Sequence, residues 1–330
     1  MAYGTPDSSL RLGQRLLPLE PQFRERVWGG QLLRAADPPI GEAWVAFGDS
    51  VVASGPRAGR KLTDLTAEHG AELLGSAVHL RYGRRFPLLA KILDCADWLS
   101  VQVHPNDEQA RRMVGPDEFG KTEAWFFLTA APDARILLGV RAGTTPAELA
   151  SAIRGGRVAE VAEQVPVRSH EAVLIPAGTL HALGPGLLLY EIQQQSDTTY
   201  RAYDWGRPQT TGRKLHIEES VEVTTTDVPS RPKSVVTGTP GSADAVECAF
   251  FDLDLVRAVA DPLDLDTGGG SFHLLTTIEG AAEILAGDEL VRLERFETVL
   301  VAGAAGAYRV RSAAGSAAGS TALMRVAVPV

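Results

Sequence analysis

The sequence predicts a mainly β protein built as two jelly-roll β-sandwich domains, with a few helices added to the first. From Ala172 onward, short apolar runs are bounded by Gly, Pro, Asp or Ser, as in Ala172–Leu183 (AVLIPAGTLHAL), Gly186–Gln193 and Thr198–Trp205. A second β-rich series runs from Val246 to Val330, beyond a Thr-, Pro-, Ser- and Gly-rich stretch at 225–245 that reads as a linker. The length of 330 residues also exceeds that of a typical single domain. The expected division is a metal-binding domain at 1–235 and a β domain without a metal site at 236–330.

Taken in order, residues 1–20 are polar, then Leu- and Pro-rich, and read as an extended or partly disordered lead-in. Gly41–Ser50 (GEAWVAFGDS) reads as a strand ending in a turn, and Leu62–Val78 as a helix starting at Thr63/Asp64. Phe86–Asp107 contains two apolar runs around a turn at Asp94–Asp97, the pattern of an antiparallel strand pair. A short surface helix at Asp107–Met113, a loop at Gly115–Gly120, and strands at Gly120–Ala130 and Arg135–Val140 follow. Thr145–Val165 reads as helical, opened by TPAEL and broken in two at Gly155-Gly156. In the C-terminal series, Thr276–Gly287 resembles a hairpin bending first at Glu279-Gly280.

Hydrophobic residues make up 45% and charged residues 22%, which is a globular composition. The net charge of −9 argues against non-specific binding to nucleic acid or an anionic membrane, so an anionic ligand must meet a local positive cluster. Cys95 and Cys248 are far apart and lack a CxxC partner, so both are expected as buried free thiols in a reducing compartment. No apolar run has the length of a signal core or a membrane span, and a cytoplasmic location is expected.

The chemistry concentrates in Leu99–Asp107 (LSVQVHPND). Gln102 and His104 are two apart and project to one side of an extended chain, while Leu99, Val101 and Val103 project to the other. Seven histidines are present, and two of them, His104 and His181, end apolar strands. Glu123, in GKTEAWFF, is a carboxylate inside an otherwise apolar strand. Burying it alone costs several kcal/mol, roughly, so it needs either a bound cation or an ion pair with Lys121, which shares its face. Gln102, His104, Glu123 and His181 together offer one amide oxygen, two imidazoles and one carboxylate, a set suited to a borderline divalent metal. Two histidines and a carboxylate also serve Fe(II) oxygenases, so Lewis-acid catalysis and oxygen activation both stay open on the residues alone.

Four segments in order, FPLLAKILDCADWLSVQVHPND (86–107), GKTEAWFFL (120–128), LIPAGTLHAL (174–183) and EIQQQSDTTYRAYDWGR (191–207), resemble the signatures of type I mannose-6-phosphate isomerase of the cupin superfamily. The resemblance covers roughly Trp28 to Arg207, and the short spacing from Glu123 to His181 is similar to the compact bacterial branch. It implies two cupin-type domains and one Zn²⁺ per chain, held by Gln102, His104, Glu123 and His181. It further implies that Arg201 is the active-site arginine, that Lys121 matches a lysine of the site, and that Glu191 and Asp197 fill the acidic positions before the arginine. The C-terminal portion departs most from the family.

The implied reaction interconverts mannose 6-phosphate and fructose 6-phosphate by moving a proton between C2 and C1 through an enediolate. A metal would stabilise the charge developing on O1 and O2. Arg201 presents a planar donor fork to a sugar oxygen or the phosphate, or else makes a structural salt bridge with Asp197 or Asp204. Lys121 and Glu191 compete for the role of base. Lys91, Lys121, Arg201 and Asp197 are the expected substrate contacts. A non-catalytic sugar-binding cupin is a third reading. The partner expected is a phosphorylated hexose, with the chain a monomer or homodimer.

Overall fold

In the computed structural model, residues 11–209, 213–314 and 319–330 are described. The expected lead-in lies partly outside these residues; its end, Leu16–Leu19, is a strand. By proximity the chain groups into two compact units, one of residues 1–22, 44–88 and 236–330, the other of residues 23–43 and 89–235. This grouping differs from a contiguous division at 235/236 in assigning 1–22 and 44–88 to the C-terminal strands. The reason is pairing: Leu16–Leu19 runs antiparallel to Thr298–Val301, and the helix Leu62–Leu74 packs on the turn Gly303–Ala305.

The unit of residues 23–43 and 89–235 contains a five-stranded sheet in the order Tyr200–Tyr203, Val101–Val103, His181–Leu183, Arg135–Val140, Ala162–Pro166. Its companion sheet has seven strands, in the order Lys233–Ser234, Glu171–Ile175, Glu123–Ala130, Leu187–Gln194, Leu88–Cys95, Gln22–Gly30, Ile40–Ala46. One apolar core draws Trp125, Phe127, Val173 and Leu189 from the seven-stranded sheet and Ile136, Leu138, Val165 and Leu183 from the five-stranded one. Alternation along the strands therefore aims one set of side chains between the sheets.

The other face of the five-stranded sheet is covered too. Val101 packs with Leu149 and Ile153 of the helix Pro146–Arg154. Val103 packs with Tyr200, Val223 and Met113. Both valines are fully buried, worth about 1.5–3 kcal/mol each. The expectation that Gln102 and His104 face inward with the valines covered from outside holds. Pro146–Arg154 starts with a Thr145/Glu148 capping box and ends at Gly155. Asp107–Met113 likewise starts with an Asn106/Gln109 capping box, which fixes the chain two residues beyond His104.

The other unit pairs a six-stranded sheet (Leu16–Leu19, Thr298–Val301, His273–Glu279, Thr321–Ala327, Asp252–Ala258, Gly241–Glu247) with a four-stranded one (Leu263–Asp266, Ala307–Ser312, Ala282–Ala286, Glu289–Leu293). Leu275, Val299 and Leu323 meet Ile284, Leu293 and Val310 in its core.

Several local expectations need correction. Leu88–Cys95 and Val101–Val103 are not a hairpin: they belong to different sheets, and the chain crosses between the sheets at 96–100. His273–Glu279 and Ala282–Ala286 likewise lie in different sheets, Gly280 making the corner at φ 68°. An apolar run facing a sandwich core looks the same whichever sheet it joins, so sequence proximity misassigned both pairs. The helix expected at 62–78 is two, Leu62–Leu74 and Ser76–Tyr82, parted by Gly75 at φ 88°. After the short helix Val158–Val161, residues 162–165, expected as helix, belong to the strand Ala162–Pro166. The linker carries strand residues at 233–234 and from 241. Cys95 and Cys248 are free thiols; the first is buried and the second half-buried.

His273 and Tyr308 join the two sheets of this unit, His273 Nδ1 lying 2.7 Å from the tyrosine hydroxyl. Burial, followed by the charge of Arg325, pushes the His273 pKa down to about 4 from its ordinary 6.5. The unfolded chain therefore takes up a proton near 6.5 that the folded chain refuses until about 4. Stability is full above the first value and falls as pH drops toward the second, by up to about 3 kcal/mol. Urea midpoints measured at pH 7 and pH 4.5 check this: the His273→Gln variant should lose less on acidification than the parent chain, and equal losses would clear His273 of the effect.

Candidate metal centre

The strand Val101–Val103 lies between His181–Leu183 and Tyr200–Tyr203, with Gln102 directly opposite His181 on one side and Arg201 on the other. One row across the five-stranded sheet therefore reads Arg201, Gln102, His181, and His104 follows one residue past the strand end. In the facing sheet, Glu123 opens its strand opposite Gln193 and Ile175, and Glu191 stands opposite Trp125. The two sheets thus bring an imidazole pair and a carboxylate together between their layers.

His104 Nε2 lies 3.3 Å from Glu123 Oε2, His181 Nε2 lies 3.2 Å from Glu123 Oε1, and the two rings are 4.8 Å apart. All three side chains have at most 1% exposure. The tautomers follow from the outer nitrogens. His104 Nδ1 meets the Thr198 carbonyl at 3.0 Å, and His181 Nδ1 meets the Thr179 carbonyl at 2.8 Å. A carbonyl only accepts, so each Nδ1 carries the proton and each Nε2 turns a lone pair toward Glu123. Neither oxygen of Glu123 has a well-aligned hydrogen-bond donor. Two imine lone pairs and a carboxylate converging in a dry interior are the donor set of a divalent cation. Among the described residues they form the one group of three or more His, Cys, Asp or Glu side chains so arranged.

The turn before His181 depends on Gly178. At φ 86° it adopts a backbone that L side chains rarely reach, and its N–H donates to the His104 carbonyl at 2.9 Å. The same turn directs the Thr179 carbonyl to His181.

Lys121 stands against the cluster, its Nζ 3.0 Å from His104 Nε2 and 3.0 Å from Glu123 Oε2. Burial alone would raise the Glu123 pKa, but Lys121 and the two histidines outweigh it and hold the carboxylate well below its usual range. Burial and the Lys121 charge push His104 down to about 3, so it stays a neutral ligand. Gln102 lies beside the cluster with its amide nitrogen 3.2 Å from His181 Nε2 and its oxygen 3.4 Å from Ser100 Oγ.

A cavity of about 550 Å³ opens from this point, lined by Gln102, Lys121, Lys91, Glu191, Asp197 and Arg201 among others. Lys91 and Glu191 pair at 3.1 Å, and Trp125 Nε1 donates to the other Glu191 oxygen at 3.0 Å. Burial would lower the Lys91 pKa, but Glu191, with Glu42 and Asp197 behind it, raises it above the ordinary value. Arg201 donates to the Lys214 carbonyl at 3.1 Å. Asp204, one of the two carboxylates weighed as its partner, binds Arg207 and Arg213. Glu42, Arg26, Ser100, Thr199, Arg213 and His216 also line the cavity and were missed. Glu42 carried the same signal as Glu123, a carboxylate inside an apolar strand (GEAWVAF), and Arg213 and His216 lie in the basic run RKLH.

Residues 16–123 match the family model described as phosphomannose isomerase type I, catalytic domain. The mannose-6-phosphate isomerase ManA of Bacillus subtilis is 36% identical over 88% of this chain and 94% of its own length. The fold is similar to that of the crystallised mannose 6-phosphate isomerase from Bacillus subtilis, at a TM-score of 0.81 and 27% identity, covering 95% of this chain and 99% of that one. A zinc-bound mannose 6-phosphate isomerase shares the fold at a TM-score of 0.72 and 18% identity, covering 96% of this chain and 100% of that one. With its inward histidines, buried carboxylate and ion-paired cavity set in that fold, the chain belongs to the mannose-6-phosphate isomerase family.

Proposed function

We propose that the chain interconverts mannose 6-phosphate and fructose 6-phosphate, with one Zn²⁺ held by Gln102, His104, Glu123 and His181. The observation that carries this reading is the convergence of two histidine lone pairs on a buried carboxylate, next to Gln102 and Lys121, which line a polar cavity. When bound, the cation supplies electrophilic stabilisation for charge developing on the sugar's carbonyl and hydroxyl oxygens. Gln102 joins the set by turning its amide end for end, which presents Oε1 to the cluster and leaves the NH₂ group to meet Ser100.

The protein's own groups do the rest. The proton moves between C2 and C1, and two side chains are placed to carry it. Glu191 is fixed by Lys91 on one oxygen and Trp125 on the other, so its direction is set before substrate arrives. Lys121 reaches the same cavity from the ligand side. Arg201 and Asp197 bind the sugar's oxygens, and the indole of Trp125 with Leu99 and Leu183 offers an apolar wall to the sugar's carbon face. No helix among the described residues is long and apolar enough to cross a membrane. We place the reaction in the cytoplasm, a compartment that suits two free cysteines.

Chelation should abolish isomerisation of mannose 6-phosphate in a coupled assay, and added Zn²⁺ should restore it; full turnover in protein shown to be metal-free by elemental analysis would end the metal-dependent reading. His104→Ala and Glu123→Ala should come through purification without stoichiometric zinc. Arg201→Ala should keep the metal and lose on the order of 100-fold or more in kcat/KM. Zinc retained at one per chain in both ligand variants would contradict the ligand assignment.

A further inference from the structure

The two sheets of the unit of residues 1–22, 44–88 and 236–330 end in four edge strands, and an open edge offers a row of backbone N–H and C=O groups to another chain. Three of the four are closed to a second copy. Leu16–Leu19 is bonded along its outer side by residues 51–53, Ala53 N–H donating to the Pro18 carbonyl at 2.8 Å and Glu20 N–H to the Val51 carbonyl at 2.9 Å. Leu263–Asp266 exposes Asp264 and Asp266, and Gly241–Glu247 exposes Asp244 and Glu247, so pairing either strand with itself sets negative charges against each other.

The fourth edge, Glu289–Leu293, differs. It pairs with Ala282–Ala286 through a two-residue turn, Gly287-Asp288, with Gly287 at φ 61°. Ala286 and Glu289 close that turn as a hydrogen-bonded pair. The alternation of an antiparallel ladder then aims the backbone groups of Glu289, Val291 and Leu293 at Ala282–Ala286, and those of Leu290 and Arg292 at the open side. Among the described residues no strand pairs there. Hollows of about 740 and 370 Å³, each lined in part by Leu290 and Val291, lie beside the strand instead. Leu290 is 56% exposed, and Asp288 and Arg292 on either side of it are exposed as well.

Charge selects how this edge meets a copy of itself. Two copies related by a two-fold axis pair antiparallel about one residue that faces its own counterpart. Centred on Arg292, two guanidiniums oppose each other. Centred on Val291, Asp288 opposes Glu294. Centred on Leu290, the outward backbone groups of Leu290 bond to those of its counterpart, the two leucine side chains cover each other, and Asp288 stands opposite Arg292 on both sides. Asp288 now lies 3.3 Å from Arg15, and Arg292 2.8 Å from Glu294. Ion pairs this exposed are worth little, so exchanging them costs little.

We propose that Glu289–Leu293 is the pairing edge for a second copy of this chain, joined about a two-fold axis at Leu290 so that the two four-stranded sheets run on into one. The contact is separate from the reaction proposed above. A five-residue strand buries less than the roughly 1,600 Å² of a standard interface, so the dimer forms reversibly and depends on concentration.

Sedimentation velocity of the full chain, from about 1 µM to several hundred µM and at low and high salt, tests this. The parent chain should pass from monomer to dimer, and should need more protein to do so at high salt. Asp288→Arg and Arg292→Asp should each weaken the dimer by about tenfold or more, because each sets like charges opposite one another twice. The double variant Asp288→Arg/Arg292→Asp swaps the pair and should recover dimerisation. Thermal unfolding shows whether each variant is folded. Where a charge variant is not, Leu290→Lys carries the test: it brings two ammonium groups together at the axis and should leave only monomer. A parent chain that stays monomeric throughout, its edge then open to some other extended chain, would overturn the proposal. So would a dimer indifferent to all three single substitutions, or a folded double variant no better than the singles.

Discussion

A carboxylate with no access to water organises this protein. Glu123 has no exposed surface and sits between two imidazoles and one ammonium. An isolated charge in that position would cost several kcal/mol, roughly, so every neighbour must work toward compensating it. The Nδ1 protons are tied to backbone carbonyls, the Nε2 lone pairs are turned inward, and Lys121 is laid against the open side. The sandwich makes this possible because its two sheets supply the ligands separately: histidines from one and the carboxylate from the other. Neither sheet alone could build the site.

The arrangement also explains why the cavity is lined by pairs of charges. An ion pair such as Lys91–Glu191 keeps a carboxylate aimed without leaving a net charge in a half-enclosed space. The same logic holds Arg26 against Glu42. Such pairs offer several donors and acceptors to a polyol.

Much of the site was legible in the sequence because its signals are local. The i, i+2 spacing of Gln102 and His104 sets their common face, and the valines between and beside them set the opposite one. A carboxylate in an apolar strand marked Glu123, although the same mark on Glu42 went unread. What the sequence hid was pairing over long separations. The partnership of Lys91 with Glu191 and of Trp125 with Glu191 depends on which strands lie side by side, and an apolar run carries no label for its sheet. For the same reason Leu88–Cys95 and Val101–Val103 looked like a hairpin. Arg213 was hidden because a guanidinium in a basic run reads as solvated until a carboxylate such as Asp204 is found behind it.

The carbonyl of Thr198 receives the outer proton of His104, and its neighbours on either side, Asp197 and Thr199, line the cavity. Gln193, fully buried and opposite Glu123, donates to the carbonyls of Gln194 and Ser196 and so braces this same bend. One short loop therefore serves two masters. Its backbone orients the His104 ring while Asp197 and Thr199 line the cavity, so a change in the loop that moves the Thr198 carbonyl also moves that ring. The shape of the cavity at this loop is therefore tied to the orientation of His104.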